Sequence, residues 1–221
     1  LLQYFRKDIK ANGSLIYTSS RVNTAEFKEG KWQITTDKKT FICDVIVNAA
    51  GAWVDELAKK CSVNPLGFLP LKRSMARVPA PDDSGNHKNW PMAFGLNEAF
   101  YAKPDAGEII VSPSEETKSF PHDAYANEED LAKGVFNFEQ VVNYLPKRIT
   151  SSWAGLRTFA PDRTLVIGFD SNVPSFFWLA GQGGYGFQTS AAASKMASEI
   201  ILGEKSSFGQ LQKRVSPDRF K

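Results

Sequence analysis

The run FFWLAGQGGYGFQTSAAASKMASEIIL places Gly181, Gly183, Gly184 and Gly186 between an apolar, strand-like stretch and an Ala-rich helical stretch that Gly203 stops. Glycines in that position let backbone approach a flat or anionic ligand. The start of the following helix turns free N–H groups and a positive dipole end towards it. One or two glycines suffice for a tight β-to-α turn, so this many favours a ligand loop over a turn kept for geometry alone. The loop is not the GxGxxG fingerprint, because no Gly-x-Gly opens the helix with an acidic residue about twenty positions later. It is not a phosphate loop ending in Lys-Ser/Thr either.

A second unit of the same kind lies upstream. In TFICDVIVNAAG, Val45, Ile46 and Val47 are continuous and apolar, which predicts a strand buried on both faces of a parallel sheet. NAAG ends it, and Val54, Leu57, Ala58 and Cys61 then share one helical face. Small residues after a buried strand permit close approach of a ligand, but packing explains them equally well.

Around these units the periodicity predicts a chain of mixed class. Leu2, Phe5 and Ile9 mark an opening helix that Gly13 stops; Arg6, Lys7, Asp8 and Lys10 interrupt it, so it is not a signal peptide. The chain starts at Leu1 in mid-pattern and reads as a fragment of a longer one. SLIYTSSRVNTAEFKEG and KWQITTD alternate as short strands around a Glu29-Gly30 turn. A Pro-rich stretch over 65–91 predicts a crossover near Gly67 and then a long surface loop, polar over 82–89. AFYAKP and GEIIVSP form two strands about the turn 105–107. Leu131, Val135, Phe138, Val142 and Leu145 mark an amphipathic helix ended by Pro146. SWAGLRTFAPD, TLVIGF and FFWLAG read as buried strands, and the closing helix as starting near Ser190. The class is α/β (α+β): a discontinuous nucleotide-binding domain over 1–66 and 153–205, interrupted by an antiparallel-sheet substrate domain over 67–152, with a tail over 206–221.

Composition narrows the function. With 27 Lys+Arg against 24 Asp+Glu the net charge is only +3, which supports neither a nucleic-acid stripe nor a polybasic membrane patch. Cys43 and Cys61 make no disulfide framework, and without a C-x-x-C or His-rich cluster no metal site is expected. His87 and His122 alone supply a Ser-His-Asp hydrolase poorly. No apolar run approaches the roughly 18 residues of a membrane span, so a cytoplasmic protein is expected.

Three polar side chains stand in apolar surroundings: Arg73 in PLKRSMARV, Tyr101 in AFYAKPD and Arg157 in WAGLRTFAPD. An arginine between Leu156 and Phe159 in a strand needs an anionic partner, either a substrate carboxylate or phosphate, or a protein acid such as Asp162. Tyr101 suits a core or edge aromatic as well as a site residue.

NAAGAW (48–53), GLR (155–157) followed by APD (160–162), and GQGGYGFQTS resemble, in this order, the D-amino-acid-oxidase-like flavoprotein family, with most likeness to D-amino-acid (D-arginine-like) dehydrogenases. The resemblance covers nearly the whole chain. It implies an FAD domain in discontinuous pieces and a flavin that takes a hydride from the amine-bearing carbon of an amino acid, leaving an imine that hydrolyses to a keto acid. It implies Arg157, Tyr101 and Arg73 as a clamp on the substrate carboxylate, with the Gly184 carbonyl accepting from the substrate amine. It implies Val22, Asn48, Ala49, Gly51, Trp53, Gly183, Gly184, Tyr185, Gly186, Phe187, Gln188 and Thr189 at the cofactor. The family's GxGxxG strand and its acidic ribose ligand have no counterpart here, so this stretch alone is expected to hold FAD loosely and to be inactive. Relatives that attach flavin through a cysteine carry it near the GLR strand; none stands there, so FAD is expected to be non-covalent. The other readings are a non-catalytic module that keeps the substrate domain, or an enzyme of the family acting on sarcosine, glycine or a hydroxy acid. An upstream reading frame containing GxGxxG separates the first of these.

Overall fold

The computed structural model describes residues 1–82 and 85–221, which form three sheets and five α-helices. Helix α1 (Leu2–Ala11) is amphipathic yet buries none of its residues, and Gly13 follows it as expected. Strands β1 (Val22–Lys28) and β2 (Lys31–Thr36) pair about Glu29 and Gly30, which both take the left-handed conformation of a tight hairpin turn. The segment over 14–21, read as strand from its alternation, is irregular and largely exposed, and pairs with no strand among the described residues. β3 (Thr40–Cys43) completes a three-stranded sheet on β2.

β4 (Ile46–Asn48) leads through a short 3-10 turn into α2 (Val54–Lys60), whose Val54 and Ala58 are buried with Cys61. The expectation that this strand is buried on both faces fails at Val47, which is 41% exposed. β4 is the edge of its sheet, and no layer of the described residues covers that face. The Asp55 carboxylate accepts from the amides of Leu66, Gly67 and Phe68, at 3.2, 3.0 and 2.8 Å, and fixes the crossover at Gly67.

The chain then enters not a surface loop but its longest strand, β5 (Leu69–Pro79). Two of the five prolines in that stretch, Pro70 and Pro79, sit near the two ends of the ladder, where a missing N–H is tolerated. Irregular chain begins only after Pro79. The Asp83 and Ser84 part of the expected loop lies outside the described residues. β6 (Ala93–Phe94), β7 (Tyr101–Asp105), β8 (Glu108–Ser112), β9 (Thr117–Lys118) and β10 (Ser151–Phe159) join β5 in a six-stranded sheet, ordered β10-β5-β8-β7-β6 with β9 also on β5. β10 pairs with β5 along its whole length, so the boundary drawn at 153 falls inside a strand of this sheet, and its first residues are exposed rather than buried.

Helix α3 (Glu128–Glu139) packs Leu131 and Phe138 onto this sheet. It ends at Glu139, short of the expected Pro146. Tyr144 instead donates to the Pro79 carbonyl at 2.8 Å.

The third sheet is small. β11 (Val166–Phe169) lies antiparallel to β12 (Phe176–Ala180), and β12 lies parallel to β4, with Phe177 opposite Val47 and Trp178 opposite Asn48. The indoles of Trp32 and Trp178 are fully buried, and each N–H is satisfied, by Ser175 and by Asp170. Helix α4 (Gly186–Ile201) starts four residues earlier than the reading at Ser190, with the last glycine of the loop as its first residue. α5 (Gln210–Val215) closes the chain over β11.

Candidate functional site

The parallel pairing of β4 with β12 brings two distant segments to one place. Both strands run the same way, so the Asn48–Ala–Ala–Gly turn and the glycine loop leave the sheet at the same end. The loop is then stitched to β10, since the Gly183 amide donates to the Thr158 carbonyl at 2.9 Å.

Along β10 and β5 the ladder sets Gly155 opposite Arg73 and Arg157 opposite Leu71. Strand residues directly opposite each other share a face, and so do positions two apart, so Arg73 and Arg157 project from one face of the large sheet. Tyr101, on β7, reaches the same place. Its hydroxyl accepts from Arg157 Nη2 at 3.0 Å and lies 3.2 Å from Met75 Sδ, while its ring has the Arg73 and Arg157 guanidiniums 5.9 and 6.0 Å from its centroid.

These residues line a cavity of about 520 Å³, together with Glu98, Glu116, Phe159, Arg163, Gly184, Tyr185 and Gln188. Arg73, Tyr101, Arg157 and Gly184, separated by long stretches of sequence, are thus brought together. Asp162 is not the partner of Arg157: it takes a two-pronged bond from Arg219, at 2.7 and 3.1 Å. No carboxylate pairs with Arg157 among the described residues. Arg73 is 6% exposed, and its Nε has no hydrogen-bond partner among the described residues. Burial, and next the adjacent Arg157 charge, lower its pKa.

Glu116, Arg163 and Glu98 were missed by the sequence reading. Arg163 directly follows the APD motif, in a left-handed conformation; its guanidinium stacks 4.0 Å from the Phe159 ring centroid and binds Glu116 at 2.8 Å. That adjacency was the available signal. Glu116 and Glu98 carried none: Glu116 stands in the polar run SPSEETKS, and nothing beside Glu98 in GLNEAF marks it as a site residue.

The cofactor candidates fall in two groups. Val22 and Trp53 line a second cavity of about 390 Å³, with Arg21, Ala50, Glu56, Leu57 and Lys60. Ala49 and Gly51 flank Ala50 in the turn that forms its wall. The side chain of Asn48 is fully buried and committed, donating to the Val54 carbonyl at 2.8 Å and accepting from the Ala50 amide at 3.3 Å, so it shapes the turn rather than facing a ligand.

The second group is the loop over 183–189. Its Gly183 has φ +52°, and a Cβ there would stand 2.3 Å from the Phe159 ring; a Cβ on Gly184 would meet Arg157 Nη1 at 2.9 Å. The amides of Gly183, Tyr185 and Thr189 are spent on backbone carbonyls. Those of Gly186, Phe187 and Gln188, in the first turn of α4, have no intrahelical acceptor and no side-chain cap, while the Tyr185 and Phe187 rings are 60% and 82% exposed beside them. Free amides at a positive helix end, with bare aromatic surface and a glycine approach, fit a large planar anionic cofactor. Neither Cys43 nor Cys61 lines either cavity.

A profile of the FAD dependent oxidoreductase family matches residues 1–200. The hydrogen cyanide synthase subunit HcnC of Pseudomonas protegens is 24% identical over 165 residues, covering 73% of this chain and 37% of that protein. The D-amino acid dehydrogenase of Rhizobium rhizogenes is 25% identical over 175 residues, covering 78% and 40%. The crystal structure of L-proline dehydrogenase from P. horikoshii superposes with a TM-score of 0.85 at 21% identity, covering 99% of this chain and 58% of that one. The fold is therefore shared, and the chain spans well under two thirds of the length of these relatives. No helix among the described residues is long and apolar enough to cross a membrane.

Proposed function

The chain belongs to the FAD dependent oxidoreductase family, and from that membership we propose that it oxidises the amine-bearing carbon of an amino acid, a D-amino acid by preference, to an imine that water hydrolyses to a keto acid. The observation that carries the reading is Arg157: a half-buried guanidinium, without a carboxylate partner among the described residues, held by the Tyr101 hydroxyl against the backbone of Gly184.

Bound FAD supplies the two-electron acceptor. The protein's part is positional. Arg157 offers a planar fork to the substrate carboxylate, and the neighbouring buried charge of Arg73 adds to the attraction. Tyr101 lies beside both guanidiniums, and its hydroxyl holds Arg157. With the carboxylate fixed, the amine falls towards the Gly184 carbonyl, which accepts one of its N–H groups and leaves the α-carbon facing the first turn of α4. Holding the reacting carbon in one orientation accounts for much of such a rate enhancement. The free amides of Gly186, Phe187 and Gln188 lie where they stabilise negative charge arising on the acceptor. The preference for the D-enantiomer is supported by the similarity to the D-amino acid dehydrogenase of Rhizobium rhizogenes.

The test is an anaerobic absorbance titration of the FAD-loaded protein with a panel of D- and L-amino acids, sarcosine and a hydroxy acid. Bleaching of the flavin band by D-amino acids is the expected result. Bleaching by the hydroxy acid alone, or by nothing in the panel, overturns the proposal.

A further inference from the structure

The cavity is lined by three arginines, and among the described residues Arg157 alone of the three pairs with no carboxylate. Glu116 Oε1 lies between the other two, 3.3 Å from Arg73 Nη2 and 2.8 Å from Arg163 Nη2. Arg73 is nearly fully buried at that contact, whereas Glu116 and Arg163 keep 36% and 53% of their side-chain surface exposed. One carboxylate oxygen thus sits between two guanidiniums on the wall of a cavity whose third guanidinium, Arg157, bonds the Tyr101 hydroxyl and no carboxylate among the described residues.

We propose that Glu116 is a specificity residue, an internal carboxylate that fills a second anion position and so restricts the site to substrates carrying a single carboxylate. The inference rests on the amino-acid reading above. With Glu116 in place, the lining charges of Arg73, Arg157 and Arg163 against Glu98 and Glu116 leave one net positive charge, and Arg157 is the guanidinium left for a substrate carboxylate. A second substrate carboxylate that approaches the Arg73 and Arg163 pair meets Glu116 already there, and adjacent like charges repel in a partly desolvated setting. Removing the Glu116 charge leaves Arg73 and Arg163 without their anion, and a dicarboxylate then spans both positions, one end on Arg157 and the other on the released pair. Specificity here comes from a repulsive group as much as from an attractive one.

Calorimetric titration of the FAD-loaded protein with propionate and with succinate tests this without relying on turnover. Wild type binds propionate and binds succinate more weakly. Glu116→Gln strengthens succinate by about tenfold and propionate by less than about threefold, since only succinate reaches the released pair. Glu116→Asp, which keeps the charge, retains the wild-type order and controls for a general loss of structure. If succinate does not gain over propionate in Glu116→Gln while propionate binding still depends on Arg157, the inference about Glu116 is wrong and the carboxylate site stands. If propionate binds equally well to Arg157→Met, the amino-acid reading of the site itself falls.

Discussion

The Arg157 guanidinium occupies the space where a side chain on Gly184 would begin: a Cβ there would lie 2.9 Å from Nη1 and 3.1 Å from Cζ. The glycine loop after β12 and the arginine strand β10 are therefore one device, with the backbone of the first in contact with the charged end of the second. Gly184 has no positive φ, so the requirement is for room rather than for backbone freedom.

Gly184→Val displaces the guanidinium and leaves the fold alone. A shift of about an ångström in a positioning group costs on the order of 100-fold in kcat/KM. We expect that loss with a melting temperature close to wild type. Gly183→Ala behaves oppositely. Its positive φ and the Phe159 ring 2.3 Å from the new Cβ make it destabilising, by about 1–3 kcal/mol. Paired kinetics and thermal melts of the two variants check both; wild-type turnover by Gly184→Val reduces the loop to a plain turn.

Arg157→Met removes the proposed carboxylate clamp. The loss should be about 2–3 kcal/mol of transition-state binding for amino acids, and Arg157→Lys should not restore it, because an ammonium lacks the fork. An amine without a carboxylate never uses the contact and should lose little. Steady-state kinetics on both substrate types separate a binding arginine from one that only supports Tyr101, for which both substrates decline alike.

FAD should leave the denatured protein. Cys61 lies in the core behind α2, where burial pushes its thiol up to about 11, and burial also raises Cys43 on β3. Neither thiol is available as a thiolate at neutral pH or lines the candidate cavities. Acid precipitation of the FAD-loaded protein should send all the yellow colour to the supernatant; flavin retained in the pellet contradicts this. A thiol reagent at neutral pH should titrate Cys61 only after unfolding.

What could be read from the sequence follows from the range of the signal. The turn 105–107, the helix after NAAGAW and the glycine loop are written in neighbouring residues, and they stand where expected. Residues held together only by the sheet register are another matter. Arg73 and Arg157 were singled out as polar groups in apolar strands, but that they share a face depends on β10 lying beside β5, a pairing no local pattern encodes. Prolines at the ends of β5 imitated a loop, because a proline at a strand end and one in a turn look alike in sequence. Glu116 was silent for the same reason: its meaning comes from Arg73 and Arg163, each more than forty positions away.

Asp162 and Arg219 give a pH test of the other arginine pair. The bond from Arg219, before any other influence, holds the Asp162 carboxyl below the usual carboxylate range. A carboxyl whose folded pKa lies below its unfolded value binds fewer protons in the native state. Its contribution to stability is therefore complete above the unfolded value and disappears as pH falls through the folded one. Asp162→Asn should remove that acid-sensitive part. The wild-type and variant melting temperatures should differ at neutral pH and converge below the carboxylate range. Asp162 is 42% exposed at this contact, so solvent screens the pair and the neutral-pH difference should be small, about 0.5–1 kcal/mol. Because Arg157 does not use Asp162, carboxylate binding in the site should be unchanged in the variant. A variant that loses propionate affinity along with the pH dependence would tie Asp162 to Arg157 after all and move that arginine out of the clamp.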